Sequence, residues 1–189
     1  MRHNLFNGRL IRLRALEPED AETLFRFRQD SESLQHQGQM GWPYSLAELR
    51  FRLDKLPEMT GQGDDMQLAI ETLDGQMVGE INIQLADPKH GTFAVGIALG
   101  ERAVWGKGYA KEAMLLVLRF MFMERRYQKC NVGTYAFNER SLALYRKLGF
   151  VDEGRVRRNY FTNGAYHDEI WLGMLREEFL ERYQEWMDK

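Results

Sequence analysis

The sequence is poor in cysteine and has few prolines. Cys130 is its one cysteine in 189 residues, which excludes an internal disulfide and a zinc site built from cysteines. It lies in Lys-Cys-Asn-Val-Gly-Thr, a stretch typical of a strand, where a buried small hydrophobe is favoured over a nucleophile. The four histidines are scattered without the spacing of paired ligands, so we expect no metal.

Long apolar runs and an excess of basic charge are also missing. No stretch approaches the roughly 20 apolar residues of a membrane span, and the first residues lack an apolar leader, so we expect a cytoplasmic protein with no membrane partner. A net charge of −2 gives no reason to expect a nucleic-acid partner. Without linkers or repeats, one domain is expected over residues 1–189, with a core at about 9–179. A homo-oligomer is left open.

Apolar periodicity predicts an α+β protein. Helices alternate with groups of strands, which is typical of a mixed sheet with helices on both faces. The expected strands are Arg9–Leu16, Met66–Leu73, Met77–Ala86, Thr92–Leu99, Lys129–Tyr135, Phe150–Phe161 and Ala165–Met174. The expected helices are Glu19–Gln29, one capped by Ser45 and stopped by Pro57, one entered at Ala110, and one capped by Asn138 that ends at Gly149.

A glycine-rich loop lies between a predicted strand and a helix. It reads Trp105-Gly106-Lys107-Gly108-Tyr109-Ala110, and its two glycines allow tight bending and close approach to a ligand. The following helix offers free N–H groups and a positive dipole end, which suit a diphosphate. A dinucleotide fingerprint fails because Lys111 stands at the third glycine, and a P-loop lacks its Ser or Thr. On the loop alone, a phosphate site and an ordinary turn are equally favoured.

A second motif follows about thirty residues later. It runs from Asn138-Glu-Arg-Ser141 through Tyr145 to Gly149-Phe150, and with the glycine loop it resembles the GNAT superfamily of N-acetyltransferases. The resemblance covers most of the chain and is nearest to the branch of ribosomal-protein and spermidine acetyltransferases. Trp105 stands where the family usually has Gln or Arg, a departure that also occurs in this branch.

The resemblance implies an acetyl-CoA-dependent enzyme. It implies a sheet of about seven strands with a V-shaped split between strands four and five. The pantetheine arm would pair there with the backbone of Ile97, Ala98 and Leu99. The loop residues Trp105, Gly106, Lys107, Gly108, Tyr109 and Ala110 would hold the cofactor's phosphates.

The same resemblance implies roles for three residues of the second motif. Tyr145 would protonate the leaving thiolate, although a packed aromatic beside Leu142 and Leu148 also explains it. Asn138 would cap its helix and touch the pantetheine, and Ser141 would contact the cofactor.

Glu80 is the carboxylate candidate for the base that deprotonates the amine. It shares a polar strand face with Asn82 and Gln84, which is unusual in a covered sheet unless the face borders a pocket. A solvated sheet edge explains that face equally well. Deprotonation by a water relay would need no dedicated base.

The acceptor stays open at the level of sequence. A protein or peptide N-terminal amine, a polyamine or another small amine would each suit direct attack in a ternary complex. An aromatic in Gly41-Trp42-Pro43-Tyr44 and an amide at Asn82 stand where polyamine enzymes tend to have acids. The alternatives from other classes are a non-catalytic acyl-CoA-binding sensor, against which Tyr145 argues, and a nucleotide-binding domain.

Overall fold

The computed structural model describes residues 4–60 and 63–187. Over these residues the chain forms seven strands and six α-helices. The strands are β1 (Ile11–Ala15), β2 (Met66–Thr72), β3 (Met77–Asp87), β4 (Thr92–Leu99), β5 (Lys129–Tyr135), β6 (Val151–Thr162) and β7 (Ala165–Leu175). The helices are α1 (Ala21–Phe27), α2 (Ser31–Gln37), α3 (Leu46–Thr60), α4 (Tyr109–Arg119), α5 (Glu139–Leu148) and α6 (Arg176–Met187). None of the helices in this described part is long and apolar enough to cross a membrane.

The strands form one sheet in the order β1-β2-β3-β4-β5-β7-β6. β1 pairs antiparallel with β2, β2 with β3, β5 with β7 and β6 with β7. β4 and β5 are parallel, and their register runs from Thr92 opposite Lys129 to Ala94 opposite Asn131. This register covers the start of both strands, while β4 continues to Leu99. The prediction of a mixed, mostly antiparallel sheet of seven strands is confirmed.

The described residues group into two compact units. The first contains residues up to 84 together with 97–117, and the second contains 85–96 together with 118–187. In the first unit, Leu16 after β1 and apolar side chains of α1, α3, β2 and β3 form a buried cluster, which contains Leu16, Ala21, Leu24, Leu49, Leu53, Ala69 and Met77. Burying these apolar groups is the main stabilising contribution that the cluster makes to the unit.

Aromatic side chains dominate the core of the second unit. Phe93 packs edge-to-face on Phe122 and Tyr127, with ring centroids 5.7 and 5.4 Å away. Phe122 in turn contacts Phe179 of α6 at 5.5 Å. Since each of these rings is almost fully buried, they fix the start of β4 and the helix α6 within this unit.

Helix caps read from the sequence are found in the structure. The Ser45 hydroxyl accepts the Glu48 amide at 3.1 Å, so Ser45 caps α3 as predicted. Asn138 caps α5 by accepting the Ser141 amide at 3.2 Å. Gly149 ends α5 in the left-handed region, at a φ of 101°, where glycine is favoured.

Two helices and one helix end differ from the sequence-based expectation. α2 is mostly polar and has no apolar stripe to reveal it; it is capped by Asp30 and ended by Gly38. α6 follows the last strand directly, and its sequence is dominated by charged and polar residues. The expectation that Pro57 stops α3 is wrong, because the helix continues to Thr60. The helix continues past Pro57 although proline has no N–H to donate to the carbonyl four residues earlier.

Candidate functional site

The loop between β4 and α4 is exposed at its two glycines and at Lys107. Gly106 and Gly108 have φ angles of 76° and 90°, a region that other residues rarely adopt. A Cβ atom at Gly106 would meet nothing within 4 Å, and one at Gly108 would lie 3.3 Å from the end of the Leu10 side chain. Within the described residues there is therefore room for a side chain at position 106, so close packing is not the reason for a glycine there.

A buried carboxylate ties the start of α4 to the segment before β1. Glu112 is 8% exposed and accepts hydrogen bonds from the backbone amides of Arg9, Leu10 and Ile11, at 2.9, 2.7 and 2.9 Å. Its own amide donates to the carbonyl of Gly108 at 3.0 Å. The charge of Glu112 is thus satisfied by backbone donors, and the first turn of α4 is held beside Leu10.

The end of β4 is also tied to the loop. The Trp105 indole N–H donates to the carbonyl of Leu99 at 3.3 Å. Arg102, just before the loop, bonds Asp30 at 2.9 Å and Glu32 at 2.6 Å, which anchors this segment to α2. Ile97, Ala98 and Leu99 are each half-buried, so this end of β4 is partly open to ligand.

A pocket in the first unit contains the predicted base and part of the predicted cofactor strand. Its walls are Leu24, Phe27, Arg28, Leu34, Gln37, Gln39, Glu80, Ala98 and Gly100. A Cβ at Gly100 would fall 2.2 Å from the Phe27 ring, so the bare glycine lets this ring pack on the backbone. Glu80 therefore lines a pocket together with Ala98.

Two side chains engage the carboxylate of Glu80. Gln67 donates its amide N–H to Oε2 at 2.6 Å. The Arg28 guanidinium lies 3.7 Å from Oε1, which is an ion pair without a hydrogen bond. Glu80 is 14% exposed at its side chain, and its neighbour on the polar face, Asn82, is half-buried.

The residues of the second motif belong to the second unit. Asn138 is buried and caps α5, which brings its side chain to the amide of Ser141. Tyr145 is 4% exposed and lies on the buried face of α5 with Leu142 and Leu148. Its ring centroid is 5.8 Å from that of Phe150. Burial, and then the nearby Cys130 sulfur, raise the pKa of the Tyr145 hydroxyl well above its ordinary value.

The predicted site residues are thus divided between the units. The first unit holds Glu80, the strand residues Ile97–Leu99 and the loop residues Trp105–Ala110, and the second holds Asn138, Ser141 and Tyr145. The sequence pattern does not single out Arg28, because a cation at the end of a helix is ordinarily a solvated complement to the helix dipole. Among residues 4–60 and 63–187, no group of three or more His, Cys, Asp or Glu is placed to hold a metal.

Comparison with known proteins agrees with these features. The model of the acetyltransferase (GNAT) domain family matches residues 10–151. The SPbeta prophage-derived uncharacterized N-acetyltransferase YokL of Bacillus subtilis (strain 168) is 40% identical over 174 residues, covering 92% of this chain and 94% of YokL. YdaF of the same organism, provisionally named a ribosomal N-acetyltransferase, is 27% identical over 177 residues, covering 89% and 93% of the two chains.

A solved structure gives the same fold. The spermidine N-acetyltransferase of Vibrio cholerae, in complex with CoA and spermine, superposes with a TM-score of 0.77 at 22% identity. The match covers 90% of this chain and 98% of that one. At this identity the likeness shows the fold alone.

Proposed function

The chain belongs to the GNAT family of acetyltransferases, and on that premise we propose that it acetylates an amine bound in the pocket beside Glu80. The observation that carries the proposal is the presence of Glu80 and Ala98 in one pocket. Ala98 belongs to the strand segment expected to pair with the pantetheine arm. A proton acceptor and the thioester strand would then share one opening, which is what direct attack in a ternary complex requires.

The loop from Trp105 to Ala110 is suited to hold the phosphates of acetyl-CoA. Gly106 and Gly108 are exposed with positive φ, and the first turn of α4 carries N–H groups without an intrahelical acceptor. The 11-residue helix adds the positive end of its dipole. Glu112 supports this arrangement by holding the first turn in place from the buried side.

The proposed chemistry uses two groups of the chain, the Glu80 carboxylate and the Tyr145 hydroxyl. Bound acetyl-CoA supplies an activated acetyl thioester. Glu80 takes the proton of the acceptor ammonium, so that the free amine forms the new N–C bond as the C–S bond breaks. Tyr145 gives its proton to the departing thiolate, leaving an amide and the coenzyme A thiol as products. Asn138 and Ser141 are proposed to contact the pantetheine from the start of α5.

The acceptor is expected to be a peptide N-terminal amine, a polyamine or another small amine. The name of YdaF, which is provisionally that of a ribosomal N-acetyltransferase, supports the first of these. YokL and YdaF also carry N-acetyltransferase names, which supports an enzyme over a non-catalytic acyl-CoA sensor.

The test is release of the coenzyme A thiol from acetyl-CoA over a panel of peptides, polyamines and simple amines. We expect turnover of at least one class, and a fall of about 10²- to 10⁴-fold in kcat for Glu80→Gln on the preferred acceptor. Glu101→Gln is the matched control, because Glu101 is exposed, forms a loose 3.8 Å ion pair with Arg26 and does not line the pocket. No turnover with any amine would reject the proposed function. Normal turnover by Glu80→Gln would show that Glu80 is not the base and that a water relay removes the proton of the amine.

A further inference from the structure

The pocket that contains Glu80 also contains a cation. Arg28 follows the last turn of α1, and its backbone N–H donates to the carbonyl of Leu24 at 3.1 Å. The side chain is 21% exposed and lines the pocket opposite the Glu80 carboxylate. A positive and a negative group therefore face the same small space.

The Arg28 guanidinium makes no hydrogen bond to the described residues. Its contacts there are the Glu80 carboxylate at 3.7 Å and the Tyr44 ring at 5.5 Å, and its Nε is buried without an acceptor. A guanidinium carries five N–H donors, and neither a 3.7 Å ion pair nor a ring contact satisfies them. Because the side chain is 21% exposed, its terminal nitrogens can be reached by a ligand.

Arg14 shows how this chain engages an arginine that serves structure. Its two terminal nitrogens bond the Asp20 carboxylate at 2.7 and 2.8 Å, and its Nε bonds Glu71. All three nitrogens of Arg14 have a carboxylate partner. Arg28 differs in that its side chain lines a pocket and has no hydrogen-bonded carboxylate among the described residues, so its accessible terminal nitrogens are available to a ligand oxygen.

We infer that Arg28 binds an oxygen atom of the acceptor and that the acceptor is an α-aminoacyl compound. The inference rests on the proposed function, in which the amine faces Glu80. Because Arg28 Nη2 lies 3.7 Å from Glu80 Oε1, one small molecule can reach both groups when its oxygen and its amine are on neighbouring carbons. An N-terminal residue meets this condition, since its amine nitrogen and its carbonyl oxygen are three bonds apart.

The same cation disfavours a polyamine. A second ammonium a few bonds from the reacting amine would be brought close to the Arg28 guanidinium, and like charges repel at such distances. Among the described residues that line the pocket, Glu80 is the one acidic side chain, so no second carboxylate there would compensate this repulsion. The charges that line the pocket therefore favour an acceptor with a single ammonium over a polyamine.

The experiment compares four acceptors with acetyl-CoA turnover as the readout: alanine amide, free alanine, propylamine and spermidine. Propylamine keeps the amine and the carbon count but has no oxygen. We expect the parent protein to prefer an aminoacyl acceptor over propylamine and spermidine in kcat/KM. Alanine amide and alanine distinguish a carbonyl from a carboxylate as the group that Arg28 holds.

Arg28→Gln should lower kcat/KM for the preferred aminoacyl acceptor by about 10- to 100-fold, mainly through KM, since a hydrogen bond to a charged group is lost. The fall in kcat/KM should be smaller for propylamine, which offers Arg28 no oxygen to bind. Arg28→Lys, which keeps the charge, should recover part of the loss. Arg26→Gln is the matched control, because Arg26 is 64% exposed on the same helix and does not line the pocket.

The outcomes are separable. Equal losses on propylamine and on the aminoacyl acceptor, or a parent protein that prefers spermidine or propylamine, would overturn the role of Arg28 while leaving acetyl transfer intact. Absence of turnover with every amine would instead reject the proposed function. If Arg28→Gln fails to fold, Arg28→Lys is compared with the parent on the same acceptors instead, provided that its melting temperature equals that of the parent.

Discussion

Tyr145 is a residue for which a packing role and a chemical role are both physically sound. It is buried between Leu142 and Leu148 on one face of α5, as a core aromatic would be. Burial also raises the pKa of its hydroxyl, so the group stays protonated at neutral pH and keeps a proton to give. The same rise makes the hydroxyl a weaker acid towards a thiolate whose parent thiol has a pKa of about 8.5, so Tyr145 would give its proton only as that thiolate forms beside it.

Replacing Tyr145 with Phe removes the hydroxyl and keeps the ring. We expect kcat and kcat/KM for acetyl transfer to fall together by about 10²- to 10⁴-fold, because a general acid acts in the transition state. The affinity for acetyl-CoA should change little. Steady-state thiol release and calorimetric titration with acetyl-CoA provide the two measurements.

Tyr183→Phe is the control for Tyr145→Phe. Tyr183 is also buried in the second unit, and its hydroxyl donates to the Leu148 carbonyl at 2.9 Å. Its loss should cost about 1 kcal/mol of stability and leave kcat unchanged. Full turnover by Tyr145→Phe with chemistry rate-limiting would reduce Tyr145 to a packed aromatic, with water as the proton donor.

At the scale of elements, β1, β2 and the turn before α1 are held by a charged network. Arg14 of β1 bonds both Asp20 and the buried Glu71 of β2, and Arg12 also bonds Glu71. Burial alone would raise the pKa of Glu71, but the hydrogen bonds from Arg14 and Arg12 outweigh it and lower the pKa below its usual range. The pKa of Asp20 is also lowered, because its hydrogen bonds with Arg14 outweigh the effect of burial.

The network predicts a loss of stability in acid. A carboxyl whose pKa is lower in the folded state contributes stability above its unfolded pKa, and this contribution is lost as the pH falls through the folded pKa. Glu71→Gln should therefore destabilise the protein by about 1–3 kcal/mol at pH 7 and by less at pH 3. Urea unfolding at the two pH values measures the difference.

Glu48→Gln is the control for this pH dependence. Glu48 pairs with Arg52 on the exposed surface of α3, where a salt bridge contributes little. Its replacement should lower the free energy of unfolding by under about 0.5 kcal/mol at either pH. Equal destabilisation by Glu71→Gln at pH 7 and pH 3 would show that Glu71 acts through packing and not through its charge.

For the whole molecule, the sequence predicts the sheet better than the pocket. β4 and β5 have the predicted bounds, because alternation of apolar residues is a local signal. The caps of α5 follow from Asn138 and Gly149 for the same reason. α2 has no apolar stripe, so its pattern reveals little.

The acceptor pocket depends on contacts between distant parts of the chain. Arg28 and Glu80 are about fifty residues apart in sequence and meet only because α1 packs beside β3. A single sequence contains no local signal for such a pair, whereas the polar face of β3 does single out Glu80. The candidate base could therefore be proposed from sequence, and its cationic neighbour could not.

Calorimetric titration of Gly108→Val with acetyl-CoA shows whether the Trp105–Ala110 loop holds the cofactor. Gly75→Val is the control, since Gly75 has a similar φ of 91° and open space, in a hairpin turn outside the loop. We expect Gly108→Val to bind acetyl-CoA about 10- to 100-fold more weakly than the parent, while Gly75→Val binds as the parent does. If Gly108→Val bound acetyl-CoA with the parental affinity, the loop would not be the cofactor site.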